Sequence, residues 1–133
     1  MTEVNYDLIV KDPHVLLHWL DALQLAVHRD NEKWWCDKDG KRLDRNKGEM
    51  IALMHSELSE CLEGVRKSLP DTHLPQYSME LVELADTIIR ILDYAEGYNL
   101  GALGPVILNK MLYNRQREDH KREARELANG KKF

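Results

Sequence analysis

The chain has 133 residues, with 19 Lys and Arg against 23 Asp and Glu, and its formal net charge is −4. At 43% hydrophobic and 32% charged residues it reads as one globular domain over 1–133, long enough to bury a core of its own. The acidic balance gives no general reason to expect a nucleic-acid partner, and no apolar run approaches the roughly 18 residues of a membrane span. The start lacks the basic-then-apolar order of a signal peptide. Cys36 and Cys61 have no paired-motif spacing, which fits a reduced, cytoplasmic setting.

Residues 1–12 read as a leader that Val4, Tyr6, Leu8 and Ile9 can pack. Asp12-Pro13 is a helix start, because Asp12 can cap and Pro13 suits the first turn. Val15, Leu16, Trp19, Leu20, Leu23, Ala26 and Val27 then recur at helical spacing to about Arg29. Residues 30–46 are polar, with Asp39-Gly40 as a turn signal, yet they hold Trp34 and Trp35 side by side. Two readings stay open for that pair: an apolar anchor that pins the loop, or a stacking wall for a planar ligand such as a nucleobase.

A second helix is expected over Lys47 to Lys67, with Met50, Leu53, Met54, Leu58, Cys61, Leu62 and Val65 on its apolar face. Leu69-Pro70-Asp71 ends it. The third, from about Gln76 to Glu96, is apolar around most of its circumference, the mark of an inner bundle helix. Gly97 is a natural C-terminal stop. A fourth helix follows Asn99–Pro105 and runs to about Arg117. The remainder, 118–133, is a charged tail with a short helical piece near Arg122 to Leu127. No repeat and no β pattern is present, so the fold class is all-α.

The chemistry lies in two carboxylate couplets. Glu57-Leu58-Ser59-Glu60 and Glu83-Leu84-Ala85-Asp86 each place two acids three residues apart, on one face of a helix. If the two helices pack side by side, four carboxylates converge. They repel unless cations sit between them, and hard oxygen donors select Mg²⁺ or Mn²⁺. Val82, Asp86, Ile89 and Asp93 share one stripe, so Asp86 and Asp93 sit among apolar neighbours, where an unpaired carboxylate is costly. No Glu has a His three residues later, which removes the main support for a di-iron redox bundle. Lewis-acid chemistry on phosphates remains, and it requires cations. Lys110, Asn114 and Arg117 share one helix face, with Arg115, Lys131 and Lys132 as further candidates, although the same group also suits a solvated helix end.

His55-Ser56-Glu57-Leu58-Ser59-Glu60-Cys61-Leu62-Glu63 resembles the first metal motif of the MazG-like all-α nucleoside triphosphate pyrophosphohydrolases. Glu80-Leu81-Val82-Glu83-Leu84-Ala85-Asp86-Thr87-Ile88-Ile89-Arg90 resembles the second. Lys110-Met111, Tyr113-Asn114 and Arg117 are similar to the family's phosphate-contacting segment, and Gly130-Lys131-Lys132-Phe133 to the ending of small bacterial and phage members. The resemblance runs from about His28 to the C-terminus, in the family's order. Two departures stand out: Ser56 occupies a position where many members carry an acid, and the segment from Arg117 to Gly130 is longer than in the shortest members.

The resemblance implies a four-helix bundle that assembles as a dimer or a dimer of dimers, and Mg²⁺-dependent hydrolysis of a (deoxy)nucleoside triphosphate between the α and β phosphates. Glu57, Glu60, Glu83 and Asp86 would hold the metal, with Glu57 or Glu60 orienting or deprotonating the water. Lys110, Asn114, Arg117 and Lys132 would bind phosphate, and His28, Asn31, Trp34 and Trp35 the base. Arg90, four residues after Asp86, is expected to hold that carboxylate; Asp93 is a support or a further ligand. Nucleotide-pool control is implied, with dGTP slightly favoured, among relatives such as dCTP pyrophosphatase and dimeric dUTPase. A non-catalytic helical adaptor with a basic nucleic-acid-contacting tail, and an enzyme acting on phosphoribosyl-ATP, are the competing expectations. Cytoplasmic placement, in the host if phage-encoded, goes with either enzyme.

Overall fold

A computed structural model describes residues 5–132. Among them the chain is all-α, with two isolated bridges, Cys36 with Arg42 and Pro70 with Ser78, and no strand. No helix among the described residues is long and apolar enough to cross a membrane. The chain divides into two compact units: Leu23–Gly101, and Met1–Ala22 together with Ala102–Phe133. Helix α1, Pro13–Asn31, contributes residues to both.

The unit of residues 23–101 is built on α2, Lys47–Lys67, and α3, Met79–Gly97. Both begin on a capping side chain: Asn46 accepts the N–H of Glu49 at 3.1 Å, and Ser78 that of Leu81 at 3.2 Å. Helix α2 ends where Ser68 turns left-handed, at φ 51, and returns its N–H to Gly64 and Val65. The short connection is fixed by buried Asp71, whose Oδ2 accepts the N–H groups of His73 and Leu74 at 2.8 and 2.7 Å. Gly64 meets Met79 and Glu80, while Glu57 meets Arg90, so the helices run antiparallel. A Cβ on Gly64 would stand 3.0 Å from the Glu80 amide nitrogen, so the glycine sets how closely the pair can approach.

The segment 32–46 forms a short 3₁₀ turn over Glu32–Trp34 and then drops Trp35 into the core at 1% exposure. The Trp35 ring lies against Gly97, edge-on to Tyr98 at 5.0 Å and to His28 at 5.6 Å. Trp35 is therefore the anchor of the loop. Gly97 serves this packing rather than a turn: it is the last residue of α3, and the left-handed residue beyond the helix is Asn99, at φ 53. The expected stop at Gly97 thus has a different physical cause. Met50, Leu92 and Ala95 join Trp35 in the core, and Gln24 is buried with its amide donating to Glu96 Oε2 and the Gly101 carbonyl.

Helix α3 differs from the inner helix its composition suggests. Leu81, Leu84, Ile88 and Ile91 stay exposed, as do Leu58, Leu62 and Val65 on α2. Among the described residues, Glu83, Thr87, Leu92, Asp93, Ala95 and Gly97 are the buried positions of α3.

In the other unit, Asn5 caps a 3₁₀ turn at Tyr6–Leu8, and Asp12 Oδ1 accepts the Val15 N–H at 3.2 Å. Val4, expected to pack the leader, lies outside the described residues. Helix α4, Leu103–Gln116, buries Leu108 and rests Gly104 against Leu17 and Leu20. A 3₁₀ turn at Glu118–His120 and helix α5, Arg122–Glu126, complete this unit.

Candidate metal and phosphate site

Met50, Glu57 and Gly64, the buried residues of α2, are spaced by seven. That spacing makes one seam of the helix, and the antiparallel pairing turns it toward α3. Glu57 therefore occupies a position where an apolar residue would ordinarily pack. On α3, Glu83, Thr87 and Asp93 are buried, and Thr87 returns its hydroxyl to the Glu83 carbonyl at 2.8 Å. Carboxylate oxygens of Glu57, Glu60 and Glu83 all lie within 4.8 Å of one another. Three of the four expected metal ligands thus converge. Asp86 sits at the margin of this cluster and lines the adjoining cleft.

Among the described residues, Arg90 is the cation paired with these acids. Arg90 Nε donates to Glu57 Oε1 at 2.5 Å. The expected partner was Asp86, one turn away on the same helix. The α2 seam brings Glu57 closer, and the charge of Arg90 still favours ionised Asp86 across a gap. Burial pushes the Glu57 carboxyl up, but the Arg90 hydrogen bond and those shared with Glu60 and Glu83 outweigh it, leaving the group below its ordinary range. Its neighbours carry the strain. The hydrogen bond to Glu57, followed by burial, raises Glu60. Burial, then the bond to Glu57 and the surrounding charges, pushes Glu83 up to about 7. Burial and the Glu57 charge raise Asp86. Without an added cation the acids share protons instead of ionising together.

Against this cluster opens a cleft of about 450 Å³, within the range of small-molecule sites. Glu57, Asp86 and Arg90 line it together with Asn31, Trp34, Arg45, Met50, Ile89 and Asp93. Trp34 is 60% exposed, with Lys33 Nζ 5.3 Å from the ring centre. Arg45 Nη1 donates to the Trp34 carbonyl at 2.7 Å and fixes the turn that presents the indole. Of the four expected base contacts, Asn31 and Trp34 line the cleft. Trp35 is buried and cannot stack on a ligand, a correction to the paired-wall reading. His28 is held through Nδ1 on Asp93 Oδ1 at 2.7 Å. Asp93 also accepts the Trp35 indole N–H, so it supports the loop.

The expected phosphate contacts belong to the unit of residues 1–22 and 102–133. Lys110 Nζ lies 4.5 Å from the Tyr113 ring centre and Arg117 Cζ 5.9 Å from it. Arg117 donates from Nε and Nη2 to the two oxygens of Asp119, and Lys131 Nζ reaches Asp119 Oδ2 at 3.1 Å. Asn114 Oδ1 is buried and has no hydrogen-bond partner among the described residues, and Lys132 is exposed. Sequence reading missed Asp119 and Arg45. Arg117 and Asp119 are two apart, a spacing that signals no pairing on a helix, and Arg45 acts through a backbone carbonyl that leaves no trace in sequence.

Comparison with family models, with curated proteins and with solved structures finds no match to this chain.

Proposed function

We propose that the protein is a Mg²⁺-dependent nucleoside triphosphate pyrophosphohydrolase, releasing a (deoxy)nucleoside monophosphate and pyrophosphate. The observation that carries this reading is the convergence of Glu57, Glu60 and Glu83, two of them buried, beside a cleft lined by an exposed indole. A carboxylate seam with so little positive charge is costly to keep, and a divalent cation is the simplest group that offsets it. The donor set is all oxygen, which suits Mg²⁺ or Mn²⁺. The motif resemblance supports the same reaction.

Glu57, Glu60 and Glu83 would hold the ion, with Asp86 completing the set from the margin. When bound, Mg²⁺ supplies charge neutralisation for the phosphates and a water of lowered pKa. Glu60 is the exposed member of the trio and is suited to orient the attacking water and take its proton. Trp34 stacks on the base and Asn31 can read its edge. Lys110, Asn114, Arg117 and Lys132 keep the role of phosphate ligands from the sequence resemblance alone. Guanine remains the slight favourite for the base, on the same ground. Cleavage would serve control of the nucleotide pool.

The uncovered apolar residues of α2 and α3 support self-association, with Leu84 and Ile88 at its centre, as a homodimer or a homotetramer. An adaptor with a basic tail leaves the buried carboxylates without a purpose. A phosphoribosyl-ATP substrate would use the same metal chemistry. The test is a panel of NTPs, dNTPs and phosphoribosyl-ATP with Mg²⁺, assaying pyrophosphate and phosphate separately. Pyrophosphate alone is expected, lost in Asp86→Asn; single phosphates would overturn the reading.

A further inference from the structure

We propose that Arg90 is the residue that binds the nucleoside-side phosphate and so fixes the direction in which a nucleotide lies across the site. This rests on the nucleotide reading above. The guanidinium is tethered at one point, Nε to Glu57 Oε1, and among the described residues its two Nη groups have no hydrogen bond. The side chain is 36% exposed and lines the cleft. A guanidinium held at Nε presents a planar pair of N–H donors, which matches two oxygens of a phosphate.

The direction follows from which acids line the cleft with Arg90. Glu57 and Asp86 line the cleft, whereas Glu60 and Glu83, whose carboxylate oxygens lie within 4.8 Å of that of Glu57, are not among its lining residues. A nucleoside seated against Trp34 and Asn31 puts its first phosphate beside Arg90. The following phosphates then run toward Glu60 and Glu83. Arg90 would thus stay with the monophosphate product, not with pyrophosphate. The tether also gives Glu57 a counter-charge when no nucleotide is present, so one residue serves both states.

The experiment is calorimetric titration, in Mg²⁺, of wild type, Arg90→Gln and Arg90→Lys with three probes: the four deoxynucleoside monophosphates, their deoxynucleosides, and pyrophosphate. In Arg90→Gln, monophosphate affinity should fall at least tenfold, with deoxynucleoside and pyrophosphate affinities unchanged. Arg90→Lys keeps a cation beside Glu57 and should melt like wild type, yet lose several-fold in monophosphate affinity because the donor pair is gone. Equal weakening of all three probes, or monophosphate binding as tight as wild type in both variants, would overturn the assignment alone. A wild-type protein that binds no monophosphate would overturn the nucleotide reading and this assignment with it.

Discussion

Trp35 donates its indole N–H to both oxygens of Asp93, at 3.1 and 3.0 Å, in the buried interior of the unit that carries the carboxylates. A carboxylate that the sequence offered as a metal ligand or a support is thus occupied by the loop that forms the cleft wall. Asp93→Ala leaves the indole N–H and His28 without their acceptor and should cost about 2–4 kcal/mol. Urea unfolding measures this. Asp93→Asn, which retains an acceptor oxygen, should cost less. In both variants Mg²⁺ should raise the melting temperature by as much as in wild type.

Gly97 predicts a second stability effect. A Cβ there would lie 2.3 Å from Trp35 Cζ2, well inside contact distance, and the ring it meets is buried. Gly97→Ala should destabilise by about 1–3 kcal/mol and alter the near-ultraviolet circular dichroism of the buried indole. Gly40, with no atom near its Cβ but φ at 78, should respond to alanine through backbone strain alone.

Much of this was legible in sequence because local rules and the packing agree. The limits expected for α2 from its apolar period, Lys47 and Lys67, are those observed, and the structure adds Asn46 as the cap. Helix α3, expected from about Gln76, starts at Met79; Ser78 is the cap, and Pro75-Gln76-Tyr77 belong to the connection that Asp71 organises. The couplets were legible because an acid at seam spacing is a local pattern. Their partners were not: Arg90 chooses Glu57 across the helix pair, and Trp35 chooses Asp93 across 58 residues. Such choices depend on helix register, which no window of sequence contains. The exposed stripe on α3 shows the same limit, since an apolar helix surface does not say whether its own chain covers it.

The carboxylate cluster predicts an inverted pH response in the metal-free protein. Glu83 is pushed up to about 7 from an ordinary 4.5, so folding favours its protonated form. That stability is fully present below about 4.5 and is lost as pH rises through about 7. Glu60 and Asp86, also raised, add in the same direction, and Glu57, held low, opposes them in part. In EDTA the protein should therefore melt lower at pH 8 than at pH 5, and Mg²⁺ should narrow the difference. Asp71, held low by the Leu74 and His73 N–H groups, loses its contribution only at more acidic pH.

The two tryptophans should separate by function. Trp34→Ala removes an exposed ring and should leave stability within about 0.5 kcal/mol, while nucleotide affinity falls roughly tenfold. Trp35→Ala empties the core and should cost about 3–5 kcal/mol. Fluorescence quenching by added nucleotide should vanish in the Trp34 variant.

Self-association is testable at Ile88, which is exposed on α3 between Leu84 and Ile91. Ile88→Glu should convert the assembled protein to a smaller species in light scattering, because a charge in an apolar interface cannot be paired. Unchanged mass would remove the assembly proposal.

The central claim, that the Glu57, Glu60 and Glu83 cluster supports cleavage between the first and second phosphates, is tested most directly by ³¹P NMR. The protein is mixed with Mg²⁺ and the best substrate of the nucleotide panel. Pyrophosphate and monophosphate resonances should grow together in equal amounts, and Glu83→Gln should abolish both. Diphosphate and inorganic phosphate resonances, or turnover that survives Glu83→Gln, would contradict the account.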